Sequence, residues 1–196
     1  MAQRARIGEQ IKDALTRDLV NACATLGYKA AMDAYRNHTY QHRTYALHDS
    51  YGSAVYLDGR LVPETIRYVN RARQTKGDNV LTKLDDRGWR GAKDQAANKK
   101  DWDTGRKALQ HYLENPPRMS RRNKGITIMV VAAQWYAMIL EGKGYVVLDP
   151  RTVASSITYN FDSYITPILE KYGMKKFAPK LRRDLGVDQT FIYNNE

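Results

Sequence analysis

The sequence predicts an α+β protein with a long N-terminal helix, a small mixed or antiparallel sheet that includes a hairpin, and a C-terminal helix. A long basic insertion is expected between the strands. Three stretches carry this prediction: a stripe of apolar residues at helical spacing near the N-terminus, the alternating segment SAVYLDGRLV, and the apolar run ITIMVVAA. With 196 residues, 42% of them hydrophobic, the chain is long enough to bury a core.

The first helix is predicted by apolar residues that recur about every four positions, with charged residues between them. They are Ile7, Ile11, Leu15, Leu19, Cys23 and Leu26. Gly27 marks a candidate stop, with helical character expected to resume over 29–40. Residues 1–48 are therefore assigned to an N-terminal helical arm, 49–172 to an α+β core and 173–196 to a C-terminal tail. Cys23 on this stripe fits a buried small side chain better than a reactive thiol.

The hairpin is predicted where SAVYLDGRLV breaks at Asp58-Gly59 and resumes with Leu61 and Val62. Asp-Gly between two apolar runs is typical of a tight two-residue β-turn. Four tyrosines flank or enter this hairpin and are candidate anchors of a contact with a neighbouring subunit, with the alternative that half of them belong to the chain's own core. They are Tyr40, Tyr45, Tyr51 and Tyr56.

The insertion, at about 63–124, holds most of the charge. Residues 60–124 contain 17 Lys or Arg against 8 Asp or Glu, a net +9 of the chain's +11. Short helices are expected here, the best of them from Gly105 to Leu113 and ended by Pro116-Pro117. A basic cluster follows, formed by Arg118, Arg121, Arg122 and Lys124.

The run ITIMVVAA, from Ile126 to Ala133, predicts a central strand buried on both faces, with Val130 and Val131 fully buried. A helical turn is expected at 135–140 and a further short strand in YVVLD, from Tyr145 to Asp149. The last predicted element is an amphipathic helix from about Ala154 to Tyr172.

Motifs for catalysis or for a bound cofactor are missing from the sequence. His38 and His42 stand at i, i+4 and would need a third ligand such as Asp49, but no HExxH or cysteine pair accompanies them, and we predict no metal. His48, Asp49 and Ser50 are adjacent without a GxSxG motif, and neither phosphate-binding glycine motif occurs. The sequence therefore predicts no enzymatic activity and no cofactor.

The charge, the single cysteine and the hydropathy limit the functional classes. A formal charge of +11 favours a polyanionic partner or acidic protein neighbours, and the basic cluster would contact phosphates without reading sequence. The alternative is that these charges are solvated or pair with acidic protein surfaces. The single cysteine, Cys23, cannot form a disulfide within the chain, which favours an intracellular protein. The absence of a signal-peptide pattern and of a run of about 18 apolar residues argues against export and membrane insertion.

Two segments, about 40–62 and 125–149, resemble a known family. In TYALHDSYGSAVYLDGRLV, Leu47 precedes the Asp49-Ser50 turn. In GITIMVVAAQWYAMILEGKGYVVL, the strand is followed by Trp135 and Tyr136-Ala137, and then by Glu141 before a glycine. These patterns are similar to the tail-completion or head-tail joining proteins of tailed bacteriophages, which form the neck ring. The chain departs from that pattern in its insertion and in its close, PKLRRDLGVDQTFIYNNE, and so resembles an elaborated relative from a short-tailed phage of the crAss-like kind.

The resemblance implies a structural protein of the virion, made in the host cytoplasm and located in the neck or tail. It implies homo-oligomeric rings whose order is a multiple of six, such as twelve, between the portal and the tail or other neck proteins. Non-specific contact with packaged DNA would be compatible with this role. The residues expected at the subunit interface are Tyr45, Tyr51, Tyr56, Trp135 and Tyr136. The alternative from another class is a basic nucleic-acid-binding accessory protein.

Overall fold

The computed structural model describes residues 2–39, 47, 50–69, 105–115, 124–133 and 137–183. The helices are α1 (Ala2–Arg36), α2 (105–114), α3 (Ala137–Gly142), α4 (Pro150–Tyr164), α5 (Thr166–Lys171) and α6 (Ala178–Arg183). The strands are β1 (Tyr51–Leu57), β2 (Arg60–Leu61), β3 (Arg67–Tyr68) and β4 (Ile126–Ala132). Short 3₁₀ turns span Pro63–Thr65 and Lys175–Phe177. The predicted α+β class is confirmed, and the sheet is antiparallel.

β1 is the central strand of the described sheet. β4 pairs with it along one edge, from Tyr51 opposite Ala132 to Leu57 opposite Ile126. β2 and β3 share the other edge, where the 3₁₀ turn separates them. The prediction that Ile126 to Ala133 forms a central strand is therefore wrong for the part of the chain that the structure describes. Val131 is buried, but Val130 is only partly buried.

Helices cover both faces of the sheet. α1 crosses one face and packs Val20, Ala24 and Leu26 toward the strands and the C-terminal helices. α2 covers the other face, with Leu109 and Leu113 against Ala54, Tyr56 and Val131. β4 is thus almost wholly apolar because each face meets a helix, although its outer edge is not paired with a described strand.

α1 runs through Gly27 without a break, so the predicted stop is wrong. A Cβ atom at Gly27 would lie 2.8 Å from Ile128 Cγ2 and 3.0 Å from Ser53 Oγ. The glycine is therefore required for the close approach of helix and sheet, because any side chain would displace the strand residues beneath it.

The hairpin turn has the predicted geometry. Asp58 and Gly59 have φ angles of 51° and 74°, the left-handed pair that a two-residue turn of this kind requires. Asp58 also fixes the start of β4, because its carboxylate accepts a hydrogen bond from Gly125 N at 2.7 Å and its own N–H donates to Gly125 O at 2.9 Å.

The segment from Tyr145 to Asp149 is not the strand that the sequence predicts. It bends at Val147 and Leu148. Among the described residues before α3, only Thr39 forms a backbone hydrogen bond with it, by donating its N–H to Val146 O at 3.1 Å. Asp149 then caps α4 by accepting hydrogen bonds from Arg151 N and Thr152 N. The predicted final helix is divided at Ile165 into α4 and α5, and α4 begins four residues earlier than expected.

Candidate assembly surfaces

Tyr51 and Tyr56, two of the five predicted interface residues, lie in the core of the chain itself. Their side chains are 0% and 1% exposed. Tyr51 donates its hydroxyl hydrogen bond to Val147 O, and Tyr56 donates to Leu113 O. Burial raises the pKa of Tyr56 to about 12, so the phenol remains a protonated donor. These two tyrosines hold α2 and the segment before α4 onto the sheet, and they present no free surface to a neighbouring subunit.

The other predicted contact residues are Tyr45, Trp135, Tyr136, Arg118, Arg121, Arg122 and Lys124. All but Lys124 lie outside the described residues, and their roles stay predictions. Lys124 is exposed directly before β4, where its ammonium group is accessible to an anionic partner.

The N-terminal end of α1 projects from the body of the protein. Every residue from Arg6 to Asp13 is exposed, and we call residues 6–13 the projecting segment. Ile7 and Ile11 are 50% and 51% exposed. They continue the apolar stripe that, two to four turns later, brings Leu19 and Leu26 into the cluster with α4 and α5. The stripe is therefore longer than the surface that the described chain provides to cover it.

A shallow groove lies between α1 and the C-terminal helices. Its apolar lining comes from Ala22, Tyr164, Pro167 and Ile168. At its rim, Lys171 Nζ donates a hydrogen bond to Asp18 Oδ2 at 2.7 Å. That bond lowers the pKa of Asp18 and raises the pKa of Lys171, so both groups stay charged near neutral pH.

The described C-terminus carries a second basic surface, in a segment that the sequence predicts only as a tail. It comprises Lys175, Lys176, Lys180, Arg182 and Arg183, with Phe177 and Leu181 41% and 43% exposed among them. Lys175 pairs with Glu170, and Arg182 Nη1 pairs with Asp162 Oδ2 at 2.6 Å. Lys176, Lys180 and Arg183 have no acidic partner within the described ranges. The sequence signal for this surface is KKFAPKLRR, in which basic residues alternate with apolar ones. This pattern predicts a surface only if helical structure is expected beyond Tyr172.

The described residues do not bring together a metal site or an activated nucleophile. No group of three potential ligands is found among them, and His38 Nδ1 bonds to Tyr35 O while its ring stacks on that tyrosine. His42, His48 and Asp49 lie outside the described residues. Burial raises the pKa of Cys23 to about 12, which keeps its thiol unreactive at neutral pH.

Ser156 contacts the carboxylate of Asp33 in a polar pocket between the end of α1 and the start of α4. Ser156 Oγ donates to Asp33 Oδ2 at 2.6 Å. The residues lining this pocket include neither histidine nor cysteine. The contact therefore fixes the two helices against each other.

Within the described chain, none of the helices combines the length and apolar character required to cross a membrane. No protein-family model, curated protein sequence or solved structure matches the chain.

Proposed function

We propose that this chain is a structural, non-enzymatic subunit of the head-tail connector of a tailed bacteriophage, in a neck or tail-completion ring between portal and tail. The resemblance at about 40–62 and 125–149 supports this assignment. It also agrees with an α+β body in which those two segments supply the paired strands β1 and β4.

The observation that carries the proposal is the uncovered end of the α1 stripe. Ile7 and Ile11 lie one turn apart on a helix end whose described neighbours are all exposed. Covering the exposed half of each side chain would contribute about 1 kcal/mol per residue. Contact with another subunit would stabilise such a helix end, because two turns of helix are only marginally stable without packing.

A ring requires heterologous contacts, in which two different surfaces of each copy meet. The projecting segment is one such surface. The groove lined by Ala22, Tyr164, Pro167 and Ile168 is a suitable second one, because it is apolar and has charged groups at its rim. We infer that the projecting segment of one subunit docks in or near this groove of the next.

The test replaces both exposed isoleucines, as Ile7→Ser/Ile11→Ser. The matched control is Gln10→Ser/Asp13→Ser, which changes two exposed polar positions on the same two turns. Negative-stain imaging and mass photometry of the chain, alone and with a portal protein, should show rings for the wild type and the control. The isoleucine variant should lose them while keeping its helical circular dichroism. Unchanged assembly by the isoleucine variant would contradict the proposed contact, and a wild type that ignores portal and tail components would contradict the function.

A basic nucleic-acid-binding accessory protein is the second candidate. The C-terminal basic surface favours it, since Lys176, Lys180 and Arg183 lack acidic partners among the described residues and Phe177 is exposed between them. Cations interleaved with an exposed aromatic ring are typical of surfaces that hold single strands by charge and stacking. This candidate requires DNA affinity from the free chain, which the connector role does not.

A further inference from the structure

The edge of β4 that faces away from β1 has no described strand beside it. Ala133 N donates to Ser50 O, and Asp58 N donates to Gly125 O, so residues 125 and 133 direct their backbone groups toward β1. Hydrogen-bonded positions in an antiparallel pair recur at every second residue. The N–H and C=O groups of the residues between them therefore point away from β1. On β4 these are Ile126, Ile128, Val130 and Ala132, and no described residue pairs with them.

The two edges of the sheet differ in their protection. On the β2 and β3 side, the 3₁₀ turn interrupts the edge, and the exposed Arg60 and Arg67 flank the break. Interruption and charge are the usual means by which a protein blocks pairing with another strand. β4 has neither: it is seven residues long, regular in its register with β1, and free of charge and of proline.

The four outward residues are symmetric about Met129. If a second β4 lies antiparallel with Met129 opposite Met129, then Ile126 faces Ala132 of the other copy and Ile128 faces Val130. Each facing pair is of the hydrogen-bonded kind, so the arrangement satisfies every outward N–H and C=O group on both strands. If the register of the two β4 strands shifted by one residue, the outward N–H and C=O groups of one strand would no longer face those of the other.

We propose that β4 is a self-association edge, at which two copies of this chain join their sheets into one across a two-fold axis at Met129. The facing side chains are apolar: isoleucine with alanine and isoleucine with valine on the α1 side, and methionine with methionine on the α2 side. A chain with a charge of +11 repels its own copies, and the seven residues of β4 that would join them include no charged side chain.

The self-association edge is independent of the proposed ring. A two-fold contact uses the same surface on both copies and closes on itself, whereas a ring requires two different surfaces. The projecting segment is not part of it. The isoleucine double variant should therefore lose rings and keep the two-fold dimer, which separates failure of one proposal from failure of the other.

The first measurement is the solution mass of the Ile7→Ser/Ile11→Ser chain, which should not form rings, with and without Val130→Pro. Proline at 130 removes an outward N–H and leaves the hydrogen bonds to β1 intact, because those use residues 127, 129 and 131. Light scattering after size exclusion should give about twice 22.5 kDa for the isoleucine double variant at high concentration, and about 22.5 kDa once Val130→Pro is added. An isoleucine double variant that stays at the single-chain mass, or one that stays dimeric with Val130→Pro, would overturn the proposal.

The second measurement fixes the register and does not depend on the proline variant folding. In a Cys23→Ala background, Met129→Cys places two thiols across the axis at a Cα separation of about 4.5 Å, within the range of about 4.4–6.8 Å in which disulfides form. Thr127→Cys, on the same strand and face, places them about 13 Å apart. Mild oxidation should give a covalent dimer with Met129→Cys and only background with Thr127→Cys.

Equal cross-linking by the two cysteine variants would overturn the two-fold register. A single-chain mass that becomes a dimer only when residues 184–196 are deleted would also overturn the proposal, and would show that the chain's own C-terminus occupies the edge. Pairing that occurs only with a different protein would overturn it in favour of a foreign strand.

Discussion

Gly27 shows how one residue sets the distance between α1 and the sheet. In the sequence, a glycine near the middle of an apolar stripe predicts the end of a helix. In the fold it lies over Ser53 and Ile128, at a separation that leaves no room for a methyl group. A single sequence does not distinguish these two uses of glycine, because the second depends on a strand about a hundred residues away.

We expect Gly27→Ala to destabilise the protein and Gly8→Ala to stabilise it. Both glycines are in α1, and alanine favours the helix by up to about 1 kcal/mol at either position. A Cβ at Gly8 meets nothing within 4 Å, whereas one at Gly27 overpacks the helix–sheet contact at a cost of about 1–3 kcal/mol. Urea denaturation followed by circular dichroism should therefore give changes of opposite sign. Equal stabilisation by both alanines would mean that α1 does not approach the sheet as closely as described.

The strands show which elements a sequence can identify and which it cannot. The hairpin follows from Asp58-Gly59, because the turn geometry is local. Strand order does not follow. The apolar character of β4 on both faces predicts a central position, yet helices cover those faces and β1 is the central strand. The stretch from Tyr145 to Asp149 has strand-like residues but no described strand beside it, and pairing depends on distant parts of the chain.

Between β2 and β3, the side chain of Thr65 provides the hydrogen-bond acceptor that a strand residue would otherwise offer to β1. Its hydroxyl accepts a hydrogen bond from Val55 N at 2.9 Å and donates toward Val62 O at 2.6 Å. Thr65 is 1% exposed, so water does not replace it. This buried hydroxyl lets the 3₁₀ turn interrupt the edge without leaving the central strand unpaired.

Thr65→Val should lower the free energy of unfolding by about 1–3 kcal/mol, because Val55 N would remain buried without an acceptor. Thr65→Ser is the matched control, since it keeps the hydroxyl and loses only a methyl group. Chemical denaturation gives the two energies, and amide hydrogen exchange at Val55 reports the local cause. If the valine and serine variants are equally stable and Val55 stays protected, the hydroxyl does not have this role.

At the scale of the whole molecule, the sequence locates most of the net charge, but neither the C-terminal basic surface nor the apolar contact surfaces. The +9 of residues 60–124 is a matter of composition and needs no fold to detect. The buried positions of Tyr51 and Tyr56 can be recognised only from the fold, because only packing distinguishes a core tyrosine from an interface tyrosine. The exposed end of the α1 stripe also needs the fold, since the same periodicity continues into residues that are buried.

The last prediction concerns what the excess charge binds. Replacing Arg118, Arg121, Arg122 and Lys124 with serine removes four charges from the insertion. The matched control removes four from the C-terminal basic surface, at Lys175, Lys176, Lys180 and Arg183. If the insertion contacts phosphates, its variant should bind unrelated DNA sequences more weakly and to the same degree. The slope of log affinity against log salt should then fall by ~0.9 for each phosphate that the variant no longer neutralises.

We expect instead that the insertion contacts protein neighbours. The resemblance to neck proteins favours protein neighbours for the insertion, so its variant should keep weak DNA binding nearly unchanged while assembly on the portal fails. The C-terminal variant should then be the one that lowers DNA affinity, because three of its four cations have no acidic partner among the described residues and exposed Phe177 lies on the same segment. DNA affinity at two salt concentrations, measured beside portal binding for wild type and both variants, decides between them. Intact assembly together with abolished DNA binding in the insertion variant would reverse the assignment, because charge that serves protein contacts must matter to assembly when it is removed.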